Sequence, residues 1–460
     1  MTPNLVTRLS ATAYMAYHLR GQATYPFRPL ARIKADQIRR VRSMVSYAYR
    51  YVPYYRETMD RLGLTPADLQ CADDLAKLPL LRREQLQRDP EYFVSTAEPV
   101  ERYLRLRNSG TVGVPCTHYR DARSVYKDAA YAERARAVYT PFVGRSKGYR
   151  KSAIFSPTGT NAVTQTFYRD HTIIPPGVRL RRQQLSLLDS PETNVHLINE
   201  FKPDVIHSYG SYLAMLFAYV RATGKPLHRP RVLLYTSDSL PESARALIAE
   251  AYNIPAFSIY EAAEAFNIGF ECPQHTGLHL NIDLHAVRIV DADGRAGPDG
   301  ESGEVVISNL VNRAAVLLNY SLGDLAAIVP SRCPCGRSLP LLTQLQGRSD
   351  DWIELASGRL IHPQVMPRLF KYEEQVWQWQ VVQQTRTHFR VTLVAAEACN
   401  HQNARERIAA GFARTFGEDV EVDIHFVESI ERTAAGKVRP VVSMHTKAWP
   451  ELAAQHAEVE

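Results

Sequence analysis

The chain is 460 residues long. At roughly 150 residues per domain this predicts about two to three domains, with enough length to bury large cores without a disulfide or metal staple. Hydrophobic residues make up 45% and charged residues 22%, which excludes disorder, a collagen-like repeat or a coiled coil as a description of the whole. A formal charge of +7 spread over this length favours anionic ligands without calling for nucleic acid. No apolar run approaches the roughly 20 residues that a membrane-spanning helix needs. The N-terminal stretch, interrupted by Tyr14, Tyr17 and His18, does not read as a secretory signal. Six cysteines in so long a chain make no disulfide scaffold, and a cytoplasmic location is expected.

In chain order, residues 36–64 carry apolar residues at helical spacing, with Pro53 set to end or kink the helix. Residues 101–119 read as a strand running into a Gly-rich turn. Strand-like runs follow at Ser152–Ser156, Val205–Ser208, Val232–Thr236 and Ala256–Tyr260, alternating with helical stretches at 122–139, 192–201, 210–223 and 241–252. That alternation predicts a mainly parallel α/β sheet. From 284 to 330 turns and alternating strands replace the helices, which predicts a β-rich subdomain. VWQWQVV, HFRVTLVAA, a helix at 402–416 and VEVDIHFVESI then form a β-β-α-β unit, an α+β domain of its own. The boundary is expected in the GRSDD stretch, giving a large domain over 1–348 and a small mobile one over 349–460.

Five short motifs carry chemistry. Asn108–Pro115 combines glycines with hydroxyl residues, so that backbone N–H groups and hydroxyls can cradle phosphate oxygens, although it lacks the Walker lysine spacing. Ser258–Glu264 places carboxylates after a strand, where one can hold Mg²⁺ against phosphates. Tyr320–Asp324 sets an Asp beside a Gly turn, and its two oxygens match a vicinal diol. Gly347–Asp351 and Arg432–Lys437 complete the series, the latter presenting a lysine on a Gly turn. Each alone is equally a plain loop, an acidic helix start or a solvated turn.

Taken in order, the five motifs resemble the adenylate-forming superfamily, in its phenylacetate–CoA ligase-like and CapK-like branch. The resemblance runs from Ile38 to Val442 and includes Val52-Pro53-Tyr54-Tyr55-Arg56 and Leu75–Leu80. It implies an ATP-dependent carboxylic acid ligase: a carboxylate attacks the α-phosphorus of ATP, giving acyl-adenylate and pyrophosphate, and a thiol then displaces AMP. The thiol belongs to CoA or to a carrier-protein phosphopantetheine. By the same resemblance Ser109, Gly110, Thr111 and Gly113 grip the ATP phosphates, and Thr236, Ser237 and Asp238 form the adenine-facing turn. Tyr260 lies near the adenine with Glu261 beside the nucleotide, Glu264 binds Mg²⁺, and Asp324 holds the ribose hydroxyls. Arg348 approaches the ribose-phosphate, Asp350 sits at the hinge, and Lys437 bridges carboxylate and α-phosphate.

Departures from the family pattern are explicit: Val114 stands for a lysine, Glu261 for a glycine, Ala263 for a hydroxyl residue, and Ser321 and Leu322 for Arg and Thr. They leave open an amide ligase with an amine acceptor, or a degenerate nucleotide-binding homologue. Tyr209, with Phe155 and Phe167, would line the acid side and suit an aromatic or elongated apolar acid. Cys272, Cys333 and Cys335, with His275 or His279, make a ligand set for structural Zn²⁺, and the resemblance favours His279. The expected partners are a small-molecule carboxylic acid and CoA or an acyl carrier protein, with no nucleic acid and no integral membrane contact. The oligomeric state stays open, a dimer included.

Overall fold

The computed structural model describes residues 3–108, 116–157, 159–291, 293–345, 353–361, 366–370, 373, 375–417, 419–431 and 439–444. Helix α1 (Leu5–Leu19) is capped by Asn4, whose side chain accepts the Thr7 N–H. Helices α2 (Leu30–Tyr51) and α3 (Pro53–Arg61) divide at Val52. Pro53 opens the second of them, a position where its missing N–H costs nothing. One stripe of α2, formed by Ile33, Val41, Met44, Val45 and Ala48, is buried. After α4 (Arg83–Arg88) comes a hairpin of β1 (Leu104–Asn108) and β2 (Cys116–Arg120), in antiparallel register from Leu104↔Arg120 to Asn108↔Cys116. The helix expected over 122–139 is two, α5 (Ala122–Tyr131) and α6 (Glu133–Val143), parted at Ala132.

The core sheet is built by β3 (Arg150–Phe155), α7 (Thr160–His171), β4 (Arg181–Ser186), α8 (Pro191–Phe201), β5 (Val205–Tyr209), α9 (Gly210–Thr223), β6 (Val232–Thr236), α10 (Glu242–Tyr252), β7 (Ala256–Tyr260), β8 (Gly269–Glu271) and β9 (Leu278–Leu280). A three-stranded antiparallel sheet follows, of β10 (His285–Val290), β11 (Gly303–Asn309) and β12 (Tyr320–Ala326). Strands β13 (Ile328–Val329) and β14 (Leu341–Leu342) then return to the core sheet. Its order is β13-β14-β9-β8-β7-β6-β5-β3-β4. The five strands from β4 to β7 are parallel, and the other four extend the sheet antiparallel. Strands β5 and β6 are buried along their whole length, as central strands of a parallel sheet covered on both faces should be. Helices α1 and α7 and strand β4 have no counterpart in the sequence reading. Strand β4 is the polar run RRQQLS because it forms the sheet edge, and α7 alternates Thr, Asn and Gln with few apolar residues.

A buried charge network ties the helices to this core. Arg134 of α6 donates to both carboxylate oxygens of Asp283, at 2.6 and 2.9 Å, to Asn281 at 3.0 Å and to Gln22 at 2.8 Å. Arg40 of α2 lies 3.6 Å from the same carboxylate.

Beyond β15 (Ile353–Glu354), β16 (Leu360–Ile361) and α11 (Met366–Leu369), a second sheet forms from β17 (Val376–Gln383), β18 (His388–Ala395), β19 (Glu421–Phe426) and β20 (Val441–Ser443), with α12 (His401–Phe416) against it. Its order is β19-β18-β17-β20, with β17 and β18 antiparallel and the outer strands parallel to their neighbours. Ile353, Phe389, Val391, Leu393, Ile408, Phe412 and Phe416 form a core of its own. The fold is therefore a large α/β part with a β-rich portion, followed by a small α+β unit. The GRSDD stretch, where the boundary was expected, lies outside the described residues.

Candidate functional site

The C-terminal ends of β6 and β7 carry most of the described site residues. Thr236, Ser237 and Asp238 turn away from β6, with Ser237 at φ 72°. Asp238 accepts the Ser211 N–H at 3.2 Å and the Ser211 hydroxyl at 2.6 Å, which pins the turn to the first residues of α9. The approach is close: a Cβ on Gly210 would stand 2.5 Å from the Ser239 and Leu240 backbone. The Thr236 hydroxyl is buried without a hydrogen-bond partner among the described residues.

Tyr260 ends β7 and donates its hydroxyl to Asp324 at 2.7 Å, joining two motifs that lie 64 residues apart. Asp324 follows Gly323, whose φ of 73° is the left-handed conformation that glycine tolerates. Ser321, at the place where the family motif has Arg, accepts the Gly323 N–H at 3.1 Å and donates to Glu304 at 2.6 Å. Arg82 lies 3.3 Å from Glu304 and balances that carboxylate. The replacement thus serves the turn itself.

Glu264 is buried, 3.4 Å from His118 Nε2 on β2. Burial holds the His118 imidazole below its usual value, against the pull of the Glu264 carboxylate. Burial first, and Glu264 next, push the Cys116 thiol up to about 12. Strand β2 therefore brings His118 to the carboxylate expected to bind Mg²⁺. Ser109, Gly110, Thr111, Gly113, Arg348, Asp350 and Lys437 themselves lie outside the described residues.

On the acid side, the rings of Phe155 and Tyr209 meet edge-on at 5.3 Å, and Phe155 also meets His207 at 5.0 Å. Phe167 packs instead with Tyr126 and stacks on His171 at 4.0 Å. Glu261 stands near Lys151. Burial pushes the Glu261 carboxyl up to about 7, with the Lys151 ammonium opposing the shift. Burial lowers Lys151 to about 7, and Arg182 adds to that effect. Lys151, His207 and His118 are absent from the sequence reading, and Arg182 figures there only within a basic stretch, Arg179–Arg182. The available signal was charge inside strand-like runs, which a parallel sheet does not welcome.

Below this cleft, ligand atoms of Cys272, His279, Cys333 and Cys335 all lie within 4.8 Å of one another. Cys272 and Cys333 sulfurs are 3.6 Å apart, and Cys335 Sγ is 3.3 Å from His279 Nε2. His275 is engaged elsewhere, 2.9 Å from Glu271 and stacked on Phe257. Three thiols and an imidazole converging on one point fit a closed tetrahedral zinc set with His279 as the fourth ligand.

Comparison with known proteins agrees with this layout. The family model of the CapK C-terminal domain matches residues 353–444. The phenylacetate-coenzyme A ligase of Thermus thermophilus is 25% identical over 434 residues, covering 91% of this chain and 92% of its own length. That of Aromatoleum evansii is 26% identical, covering 90% and 95%. Protein CapK of Staphylococcus aureus is 17% identical, covering 88% and 87%. The crystal structure of 2-hydroxyisobutyryl-CoA ligase in the postadenylation state superposes with a TM-score of 0.76 at 18% identity, over 94% of this chain and 93% of that one, and so shares its fold. In sequence and motif order the chain is similar, over about nine-tenths of its length, to adenylate-forming proteins of the phenylacetate–CoA ligase and CapK kind.

Proposed function

We propose that the chain is an AMP-forming acid–thiol ligase that activates a small carboxylic acid with ATP and passes the acyl group to the thiol of CoA or of a carrier-protein phosphopantetheine. The observation that carries this reading is the Tyr260–Asp324 hydrogen bond at 2.7 Å. It joins the adenine and ribose motifs beside the Thr236–Asp238 turn, at the strand ends where open α/β sheets bind ligands. Glu264 would hold Mg²⁺, which neutralises phosphate charge when bound, and Ser109, Gly110, Thr111 and Gly113 would grip the ATP phosphates. Lys437 supplies a cation to the developing charge at the α-phosphorus, and Arg348 steadies the ribose-phosphate. Asp350 is the hinge about which the small domain, 349–460, turns between the two half-reactions. Phe155 and Tyr209 support an aromatic or elongated acid. The chain acts as a cytoplasmic protein; among the described residues no helix is long and apolar enough to cross a membrane.

Acid-dependent ATP–pyrophosphate exchange tests the reading. Exchange with one acid class, falling roughly 10²–10³-fold in Lys437→Ala, is the expected result. ATP binding with no exchange across a broad acid panel would turn the reading to a nucleotide-binding homologue. Consumption of the adenylate by amines but not by thiols would make it an amide ligase. Zinc is proposed as a structural staple of the loops around β9 and β14: one ion per chain is expected in gently purified, reduced protein, and its loss in Cys333→Ser. A metal-free wild-type protein would end that proposal.

A further inference from the structure

The sheet face that carries Phe155 and Tyr209 is charged rather than purely aromatic. The parallel register sets Lys151 beside Arg182, and Ala153 beside both Gln184 and His207. Because side chains alternate along a strand, Arg182, Lys151, Phe155, His207 and Tyr209 all project from one face of the sheet. Ala153 stays partly exposed in the middle of β3 although strands flank it on both sides, so space lies open above it. Arg182 is spoken for, because its guanidinium donates to Gln165 of α7. His207 is 7% exposed, and its Nε2 has no hydrogen-bond partner among the described residues.

Lys151 and Glu261 are half-buried, close enough to feel each other's charge, yet neither forms an ion pair or hydrogen bond among the described residues. Opposite charges left apart in a cleft are costly unless something spans them. A hydroxyl has the matching chemistry, since it donates to a carboxylate and accepts from an ammonium at once. We infer that Lys151 and Glu261, with His207, read a polar hydroxyl-type substituent on the acid, so that the substrate is a hydroxylated aryl or similarly elongated acid and not its plain hydrocarbon parent. This rests on the acid-ligase reading above and moves Glu261 from the nucleotide to the acid side of the site.

The test compares phenylacetate, 3- and 4-hydroxyphenylacetate and 4-methylphenylacetate. Each acid is read by calorimetric binding to the full chain and, separately, by acid-dependent pyrophosphate release. Wild type should favour a hydroxylated acid over the methyl isostere by at least about tenfold, since a site built to bond a hydroxyl penalises an analogue lacking it. Lys151→Met and Glu261→Gln should each erode that ratio severalfold, Lys151→Arg should retain part of it, and the double variant should prefer the methyl acid. Thermal melts of every variant identify any that fail to fold, and the remaining variants then decide. Equal affinity for hydroxyl and methyl acids in wild type, or a ratio that survives both single substitutions, overturns the inference. Discriminating binding without pyrophosphate release would sink the ligase reading and leave this one standing. Absence of binding by every acid overturns both.

Discussion

Two buried charged regions of this molecule are built on opposite plans. Around Asp283, Arg134 meets both carboxylate oxygens and the neighbouring Asn281 and Gln22 amides, with Arg40 behind. Around Glu261, neither that carboxylate nor Lys151 forms an ion pair or hydrogen bond among the described residues, and His207 Nε2 has no hydrogen-bond partner there. Both regions pay for desolvation, but only the first recovers it within the folded chain. The difference separates a charge cluster that holds helices to a sheet from one that waits for a ligand.

Breaking the satisfied cluster should have the largest effect. Asp283→Asn should cost about 3–5 kcal/mol, read as a lower denaturation midpoint, because it strands the Arg134 guanidinium. The Asp283 carboxyl is held below its unfolded value of 3.8, chiefly by Arg134 working against burial. Its contribution is therefore present above about pH 4 and is lost as pH falls through the lower folded value. The gap between wild type and variant should shrink on acidification below pH 4. A gap that instead widens would contradict the assignment of that charge.

A smaller, functional effect is expected where the nucleotide half is already bonded to itself. Asp324→Asn weakens the Tyr260 contact, and losing a charge-assisted hydrogen bond is worth about 1.5–3 kcal/mol. The KM for ATP should rise roughly 10–100-fold. The preference among acids should not move, and if it does the two halves of the cleft are not separate.

A stability change of the opposite sign should come from the unsatisfied cluster. Lys151→Met should raise stability, by a few kcal/mol at most, since it removes a charge that has no partner. The sign follows from its folded value of about 7, lowered from 10.5 mainly by burial. Charging Lys151 costs stability as pH falls from 10.5 through 7, and the cost is complete below 7. The gain from Lys151→Met should thus be greatest below pH 7 and fade above it. A strongly destabilised Lys151→Met would mean that the lysine is structural after all.

The sequence reveals the satisfied features better than the unsatisfied ones. Val232–Thr236 and Ala256–Tyr260 are strands over the residues expected, because both are apolar runs between turn signals. The Cys/His cluster is legible because cysteine is scarce, and geometry separates His279, which joins the three cysteines, from His275, which pairs with Glu271. Tyr260, Glu264 and Asp324 stand out through motif order. Lys151 and His207 do not, since Lys151 falls just before the Ser152–Ser156 run and His207 is one polar residue inside Val205–Ser208. Only the register that sets β3 between β4 and β5, and the chain leaving β7 at Glu261, brings them to one cleft. The expectation of an apolar acid pocket drew on Phe155 and Tyr209, the residues visible as aromatics, and missed their charged neighbours.

The 2.5 Å approach at Gly210 bears on how tolerance to substitution in this protein should be read. The residue has no side chain to offer ATP, acid or thiol, yet any replacement drives a carbon into the backbone of the neighbouring loop. In a survey of surviving variants, position 210 would be as intolerant as a catalytic lysine. The two kinds of intolerance come apart only when folding and turnover are scored separately: Gly210 variants are expected to fail at the first and, on the function proposed above, Lys437 variants at the second.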